Sequence, residues 1–479
     1  MTHHPNYIGG EWVAAEAHVP NVNPSDTDDI VGEYALADAS QARAAIAAAR
    51  QAFPAWAALS SQRRFEYLDQ IGSLLIARKH ELGMLLAREQ GKTLSNAMFE
   101  VERAGYTFKF FAGECLRMQG DHVASLRPGI DIDVTREPLG VIGVITPWNF
   151  PIGIPVWKIA PALAYGNCVV FKPPELVPAC GWELARIIHE VGLPHGVFNL
   201  VVGKGRVVGE AMTTSPDVNG ISFTGSVAVG RQIGLAAMQS GKKVQLEMGG
   251  KNPMVVLDDA NVDLAADAAL DAAFYFTGQR CTASSRLIVT DAIHDRFVAA
   301  LRERMRRITV GHALDPATMI GPVVSEAQLA QNLEYLDVGK REGARLVEGG
   351  ELLERPTKGY YMSPALFVDT ANGMRINREE IFGPVAAVIR VRDYEEALHL
   401  ANDTEFGLAS SICTSSQKHA AHFRRYSQAG LVMVNLPTAG FEYHVPFGGT
   451  KASSYGSREQ GRYAQEFFTT VKTSYMRPI

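Results

Sequence analysis

The chain has 479 residues, of which 47% are hydrophobic and 20% charged, and its formal net charge is −5. That length exceeds one ordinary core and predicts two or three domains. The small negative charge, without a run of five or more like charges, argues against a nucleic-acid partner, and the longest apolar runs fall far short of the roughly 20 residues that span a bilayer.

The N-terminal stretch from Met1 to Tyr7 has neither the basic nor the apolar region of a signal peptide, so the cytoplasm is the expected location. Residues 38–53 predict an Ala-rich helix with Ser40 as N-cap and Pro54 just past its end. A second helix is predicted over 62–87, where Leu68, Ile71, Leu74, Leu75 and Ile76 fall near helical spacing. Residues 129–136 alternate apolar and polar, as an exposed two-faced strand does. Strand-like runs follow at 141–145, 168–172, 197–202 and 220–223, with helical runs at 154–164, 179–191 and 206–213 between them. This succession predicts a parallel, doubly wound sheet. A second series begins near Asn252. It is strand-like at 254–257, 285–289, 365–368, 385–391 and 430–435, and helical at 262–276, 292–308 and 394–403. The fold class is α/β with two such units. The C-terminal run 467–475 is strand-like again, so it and 129–136 are two edge-like strands in need of partners.

Five cysteines, at 115, 168, 180, 281 and 413, have no CxxC spacing. The odd count argues against a disulfide framework or a structural zinc site, favours a reducing compartment, and leaves no metal expected. Four of the five read as small buried hydrophobes. Cys281 differs, because Gly278 precedes it and the polar run Thr282-Ala283-Ser284-Ser285 follows. It closes Phe276-Thr277-Gly278-Gln279-Arg280-Cys281, and upstream lies Glu247 in Leu246-Glu247-Met248-Gly249-Gly250-Lys251. A thiolate attacks an aldehyde carbon readily, and a buried carboxylate can then activate the water that releases the product.

Nucleotide signals are weaker one by one. Gly203-Lys204-Gly205 with Gly209 is not a standard glycine fingerprint and reads equally as a helix-start turn. Phe223-Thr224-Gly225-Ser226 follows a strand and precedes a helical run, and a Ser there offers a hydroxyl and free N–H groups to a pyrophosphate. An N-cap without ligand is the bland alternative. Lys172 and Glu175 lie just past a strand end, where ligands bind in open α/β sheets; otherwise they are solvated surface charges.

Together with Pro147-Trp148-Asn149-Phe150-Pro151 and Glu379-Glu380-Ile381-Phe382-Gly383-Pro384, the Glu247 and Cys281 segments resemble the aldehyde dehydrogenase superfamily, NAD(P)-dependent enzymes that oxidise aldehydes to acids. The resemblance runs from Tyr7-Ile8-Gly9-Gly10-Glu11-Trp12 to Pro446-Phe447-Gly448-Gly449-Thr450-Lys451-Ala452-Ser453. It implies a Rossmann-like cofactor domain over 1–118 and 140–249, a second α/β catalytic domain over 250–445, and a small β oligomerisation arm from 119–139 and 460–479, in a homodimer or homotetramer. It implies Cys281 as nucleophile, Asn149 and the Cys281 N–H as oxyanion donors, Glu247 as the water-activating base, and Lys158 as support for Asn149 or the nucleophile. For the cofactor it implies Thr146, Pro147, Trp148, Lys172, Glu175, Gly225, Ser226, Gly249, Glu380 and Phe382. A carboxylate at Glu175 accepts from ribose hydroxyls and repels a 2′-phosphate, which favours NAD; Lys172 leaves NADP open. The presence of Glu247 favours hydrolytic release over transfer to CoA.

Many members carry Lys-x-Ser-Gly-x-Gly-Arg-Glu near the C-terminus. Here Lys451-Ala452-Ser453-Ser454-Tyr455-Gly456-Ser457-Arg458-Glu459 puts Ser454 in place of the Gly and inserts one residue. This version looks like the branch that oxidises 2-oxoglutarate semialdehyde (2,5-dioxopentanoate). Such a small-molecule substrate carries a carboxylate and calls for a cation or hydroxyls in its tunnel; Arg280, Ser284 and Thr438 are the candidates. The alternatives are succinate or glutarate semialdehyde, a broad aliphatic aldehyde, and, from another class, a cofactor-free thiol hydrolase.

Overall fold

The computed structural model describes residues 3–478. Five parallel strands form the centre of an eight-stranded sheet. In space they run Lys243–Glu247, Gly220–Thr224, Val141–Ile145, Cys168–Lys172 and Phe198–Leu200. All but Lys243 of these residues are buried, because helices cover both faces, and that is why the runs are apolar without alternation. Asn6–Ile8 and Glu11–Val13 add antiparallel beyond Phe198–Leu200; the parallel part starts at Val141–Ile145 and winds outward through the next two strands. The chain then returns to lay Gly220–Thr224 on the other side of its starting strand. The order therefore reverses between Val141–Ile145 and Gly220–Thr224, and a crevice opens at their carboxyl ends. At one edge Ser454–Tyr455 pairs antiparallel with Lys243–Glu247, bringing the C-terminal segment against the strand that carries Glu247.

The second sheet has seven strands, in the order Arg345–Glu348, Ala365–Thr370, Val385–Val391, Arg286–Thr290, Pro253–Val256, Ala409–Cys413 and Leu431–Val434. Only Arg345–Glu348 is antiparallel to its neighbour. It buries its own apolar cluster around Met254, Phe274, Phe297 and Val388. A third, antiparallel sheet joins Asp121–Ala124, Asp131–Pro138 and Thr469–Met476. The two edge-like strands foreseen in the sequence thus pair with each other within the chain, from Thr469 opposite Pro138 to Met476 opposite Asp131.

Several boundaries differ from the sequence reading. The first helix is Ala39–Ala57, capped by Asp38, whose carboxylate accepts from Gln41 N at 2.8 Å, rather than by Ser40. Pro54 lies inside it. The Ala58 N–H donates to Pro54 O at 3.1 Å, so the proline opens the last turn, where its missing N–H interrupts the ladder only near the end. The helix expected over 62–87 is two, Ser61–Ala77 and Lys79–Gln90, broken at Arg78 (φ −99°, ψ 16°). Leu68, Ile71 and Leu75 before the break, and Leu82 and Leu86 after it, are all buried, so the apolar period passes straight through it. Leu94–Cys115, a 22-residue helix, was not foreseen. The run at 206–213 begins as a π-helical turn, Gly205–Gly209, and continues as Glu210–Thr214. Among the described residues no helix is long and apolar enough to cross a membrane.

Candidate active site

Cys281 sits on the loop between the helix Val262–Phe274 and the strand Arg286–Thr290, facing the carboxyl ends of the first sheet. Phe276 and Thr277 hold φ of 58° and 57°, and Gly278 follows at 64°. Left-handed backbone at non-glycine residues costs of order 1–3 kcal/mol each and persists only where the surroundings enforce it. Here they do. Thr277 Oγ1 donates to Gly321 O at 3.0 Å, and a Cβ on Gly278 would stand 2.2 Å from Gly383 O. The Asn252 amide donates to Cys281 O at 2.8 Å and Ala283 O at 3.0 Å, while its own oxygen accepts from Ala409 N at 2.9 Å. Among the five cysteines only Cys281 is partly exposed. Its thiol faces a cavity of about 300 Å³. Burial, with the charges of Glu380 and Glu247, pushes this thiol up to about 12, so the resting sulfur is protonated and must lose that proton before it can attack.

Asn149 is 3% exposed. One amide hydrogen donates to Gln279 O at 3.1 Å, and the other has no protein acceptor. Its main chain is gripped by a buried ion pair. Lys92 Nζ donates to Asn149 O at 2.8 Å and to Glu100 Oε2 at 2.5 Å, while Glu100 Oε1 accepts from Ile152 N at 3.1 Å and Gly153 N at 2.9 Å. The pair holds both ends of the turn that aims the amide, and the Lys92 ammonium also lies 4.1 Å from the Phe150 ring centre. The sequence reading missed Lys92 and Glu100, because two charges on and beside a helix read as solvated unless their burial is known.

Glu247 ends the strand Lys243–Glu247 and is 3% exposed. Its Oε2 accepts from Ser454 Oγ at 2.6 Å. This is the serine that stands where the common pattern has glycine. The other oxygen faces Gly448, where a Cβ would stand 2.6 Å away. Burial, then the Glu459 charge, hold the Glu247 carboxyl well above the usual range, while Ser454, Lys158 and Arg458 pull it down. Lys158, fully buried, pairs with Glu459 and donates to Ser222 Oγ at 3.0 Å. Its hydrogen bonds do not reach Asn149 or Cys281, which corrects that expectation. The helix Gly153–Ala164 turns Lys158 to the underside of the site, against the C-terminal segment. There Ser222 donates to Gln245 Oε1 at 2.8 Å, and Gln245 Nε2 donates to Ser457 O at 3.1 Å, which fastens the segment that carries Ser454.

The residues considered for a cofactor cluster at the carboxyl ends of the first sheet. Thr146 and Thr224 flank the reversal of strand order, and both hydroxyls are buried without a partner. Lys172, also buried, donates to Pro173 O at 2.9 Å and has two further N–H groups to offer. Glu175 is half-buried three residues on. Ser226 caps the helix Val227–Gln239, and a Cβ on Gly225 would meet the Phe223 ring at 2.5 Å. Across the cleft, Glu380 accepts from Gly250 N at 2.8 Å, and burial raises its carboxyl to about 7. A Cβ on Gly249 would stand 2.0 Å from Glu380 Oε2. Phe382, at φ 60°, sets its ring edge-on to Trp148 with centroids 5.3 Å apart, and Pro147 and Trp148 are half-buried. Orphan hydroxyls, an under-used ammonium and a helix N-terminus at a sheet's reversal point fit a dinucleotide. Gly203 lies just before the π-helical segment, which Gly205 begins and Gly209 ends.

Of the three residues suggested for a substrate carboxylate, Arg280 lines the cavity, but its guanidinium is tied to Asp271, through Oδ1 at 3.2 Å and through the backbone carbonyl. Ser284 and Thr438 do not line it. Both are fully buried and bond each other at 2.8 Å, so neither hydroxyl faces a substrate. That corrects the expectation for these two.

Residues 12–474 match the Aldehyde dehydrogenase family. The chain is 45% identical over 477 residues to the alpha-ketoglutaric semialdehyde dehydrogenase of Bacillus subtilis (strain 168), covering 99% of this chain and 98% of that one. Among solved structures, an E. coli NADP dependent enzyme superposes with a TM-score of 0.96 at 35% identity, covering 99% of this chain and 98% of that chain. The betaine aldehyde dehydrogenase of Staphylococcus aureus in complex with NAD+ superposes with a TM-score of 0.96 at 33% identity, covering 99% and 95%.

Proposed function

The chain belongs to the aldehyde dehydrogenase family, and from that we propose that it oxidises 2-oxoglutarate semialdehyde (2,5-dioxopentanoate) to 2-oxoglutarate with NAD and water. One observation carries this reading: the one partly exposed thiol stands in an aromatic-lined cavity, between an amide with a free N–H and a buried carboxyl. The name of the Bacillus subtilis relative supports the substrate, and the NAD+ in the Staphylococcus aureus structure supports the cofactor.

In this reading the Cys281 thiol releases its proton to solvent water in the open cavity, and the thiolate Sγ bonds to the aldehyde carbon. The oxyanion that forms takes hydrogen bonds from the second Asn149 N–H and from the Cys281 N–H. NAD, when bound, supplies the two-electron acceptor for the hydride lost from that carbon. Thr146, Lys172, Glu175, Gly225, Ser226 and Gly249, with Glu380 and Phe382 across the cleft beside Pro147 and Trp148, are the residues that would hold it. The acyl group then rests on Cys281 as a thioester. Glu247 takes a proton from water, whose oxygen attacks the thioester carbon; the carboxylate leaves and the sulfur is freed. Lys158 acts from behind, through Glu459 and the C-terminal segment. We also read 1–118 with 140–249 as the cofactor domain, 250–445 as the catalytic domain, and 119–139 with 460–479 as an arm. The arm exposes Val123, Val471, Tyr475 and Met476, which supports a homodimer or homotetramer. The cytoplasm is the proposed location.

Ser454 gives this scheme a pH signature. Its hydroxyl favours the charged form of Glu247, so Ser454→Gly raises that carboxyl further. Glu247 must be deprotonated to act, so kcat falls as pH falls through its pKa. In the variant that acidic limb moves to higher pH, with kcat about tenfold below wild type near neutrality, the size of a hydrogen bond to a charged group. A limb that stays in place, with kcat unchanged, removes Ser454 from the account.

NADH formation at 340 nm, across semialdehydes of different length and neutral aldehydes, with NAD and NADP in parallel, tests the function as a whole. The highest kcat/KM is expected for 2-oxoglutarate semialdehyde with NAD. A higher value for a neutral aliphatic aldehyde overturns the substrate, and thioester hydrolysis without NADH overturns the class.

A further inference from the structure

We infer that Arg103 receives the remote carboxylate of the substrate and so sets the preference for a charged semialdehyde. The inference rests on the substrate proposed above. The helix Leu94–Cys115 presents Asn96, Phe99, Glu100 and Arg103 to the cavity at helical spacing, one face over two turns. Four charged side chains line that cavity, and three of them are already matched. Glu100 is bound to Lys92 at 2.5 Å, and Arg280 is bound to Asp271 at 3.2 Å. Arg103 alone has no carboxylate partner among the described residues, and its Nη2 is enclosed with no hydrogen-bond acceptor. Of the acids close by, Glu102 pairs with Lys79 at 2.6 Å; Glu442 acts on Arg103 only through space, makes no ion pair or hydrogen bond with it, and lies 3.4 Å from His444. The cavity wall therefore carries one positive charge without an ion-pair partner, on a guanidinium that remains ionised at any working pH.

Its place in the cavity fits the role. Arg103 and Phe99 also border a second depression of about 240 Å³ with Glu102, Tyr106, Glu442, Tyr443 and His444. Arg103 thus stands where the two spaces meet, while Cys281 lies in the first one. An aldehyde that has reached the sulfur leaves its other end directed back along the way it came. The walls between are Phe150, Trp157, Phe276, Phe441 and Phe447, apolar surface suited to methylenes and unable to solvate a carboxylate. A planar guanidinium with an unused N–H supplies a charge-assisted bond there, and the buried orphan donor is satisfied in the same contact.

The test compares kcat/KM for glutarate semialdehyde and for pentanal, both five-carbon aldehydes, in the full enzyme with NAD. The variants are Arg103→Leu, Arg103→Gln and Arg103→Lys, each checked for an unchanged thermal midpoint. Arg103→Leu and Arg103→Gln are expected to lower the charged-to-neutral ratio at least fiftyfold, mostly through KM, and Arg103→Lys to recover it to within tenfold of wild type. A ratio within threefold of wild type in both neutral variants, or an equal fall for both substrates, overturns the role of Arg103. If wild type itself does not prefer the charged aldehyde, the substrate reading fails, and the inference with it. If wild type prefers it and the preference survives loss of Arg103, only the assignment to Arg103 fails.

Discussion

Cys281→Ala is expected to lower NAD-dependent aldehyde oxidation by about 10⁴-fold or more, because no other group at the cavity can form the covalent intermediate. The remaining four cysteines are buried away from the cavity, and burial pushes each of their thiols well up. The substitution removes one sulfur from a cavity wall. It leaves untouched the loop contacts made by Asn252 and Thr277, which go to backbone atoms. The fold and the residues proposed for NAD at the sheet ends should therefore persist. Calorimetric titration with NAD should show binding within a few-fold of wild type, while 340 nm absorbance stays flat. Turnover within tenfold of wild type would show that the thiol is not the nucleophile.

The second large effect concerns Glu247. Glutamine has nearly the same shape and its carbonyl oxygen still accepts from Ser454, so Glu247→Gln should hold the C-terminal segment in place. It cannot take a proton. Acylation of Cys281 and hydride loss need no base at that position once the thiol is ionised, but hydrolysis of the thioester does. Rapid mixing should then give a burst of close to one NADH per active site, followed by a steady rate about 10²- to 10⁴-fold below wild type, the usual contribution of a positioned general base. Steady turnover equal to wild type would assign water activation elsewhere.

Much of the fold was legible because strands buried on both faces read as unbroken apolar runs. The runs at 141–145, 168–172 and 220–223 lie within or match observed strands. What misled were features that leave no mark on apolar periodicity. The break at Arg78 carries neither glycine nor proline, and Leu75 and Leu82 keep the same face on either side of it. Pro54 was taken as a stop, yet a proline at the start of a final turn forfeits little. In the site, Cys281, Glu247 and Asn149 stood out because local motifs mark them. Lys92, Glu100 and Arg103 did not, since a charge on a helix looks the same in sequence whether it meets water, a buried partner or an empty cavity. Ser284 and Thr438 erred the other way: as hydroxyls with no burial information they resembled tunnel residues, and only three-dimensional packing joins them to each other.

All of this depends on acyl transfer through one sulfur, and the Glu247→Gln enzyme offers the clearest view of it. The variant is mixed with NAD and semialdehyde, quenched in acid within the burst, digested, and analysed by mass spectrometry. The account predicts an acyl adduct on the peptide containing Cys281, in amounts matching the NADH formed and labile to hydroxylamine. A full burst of NADH with that peptide unmodified would contradict it.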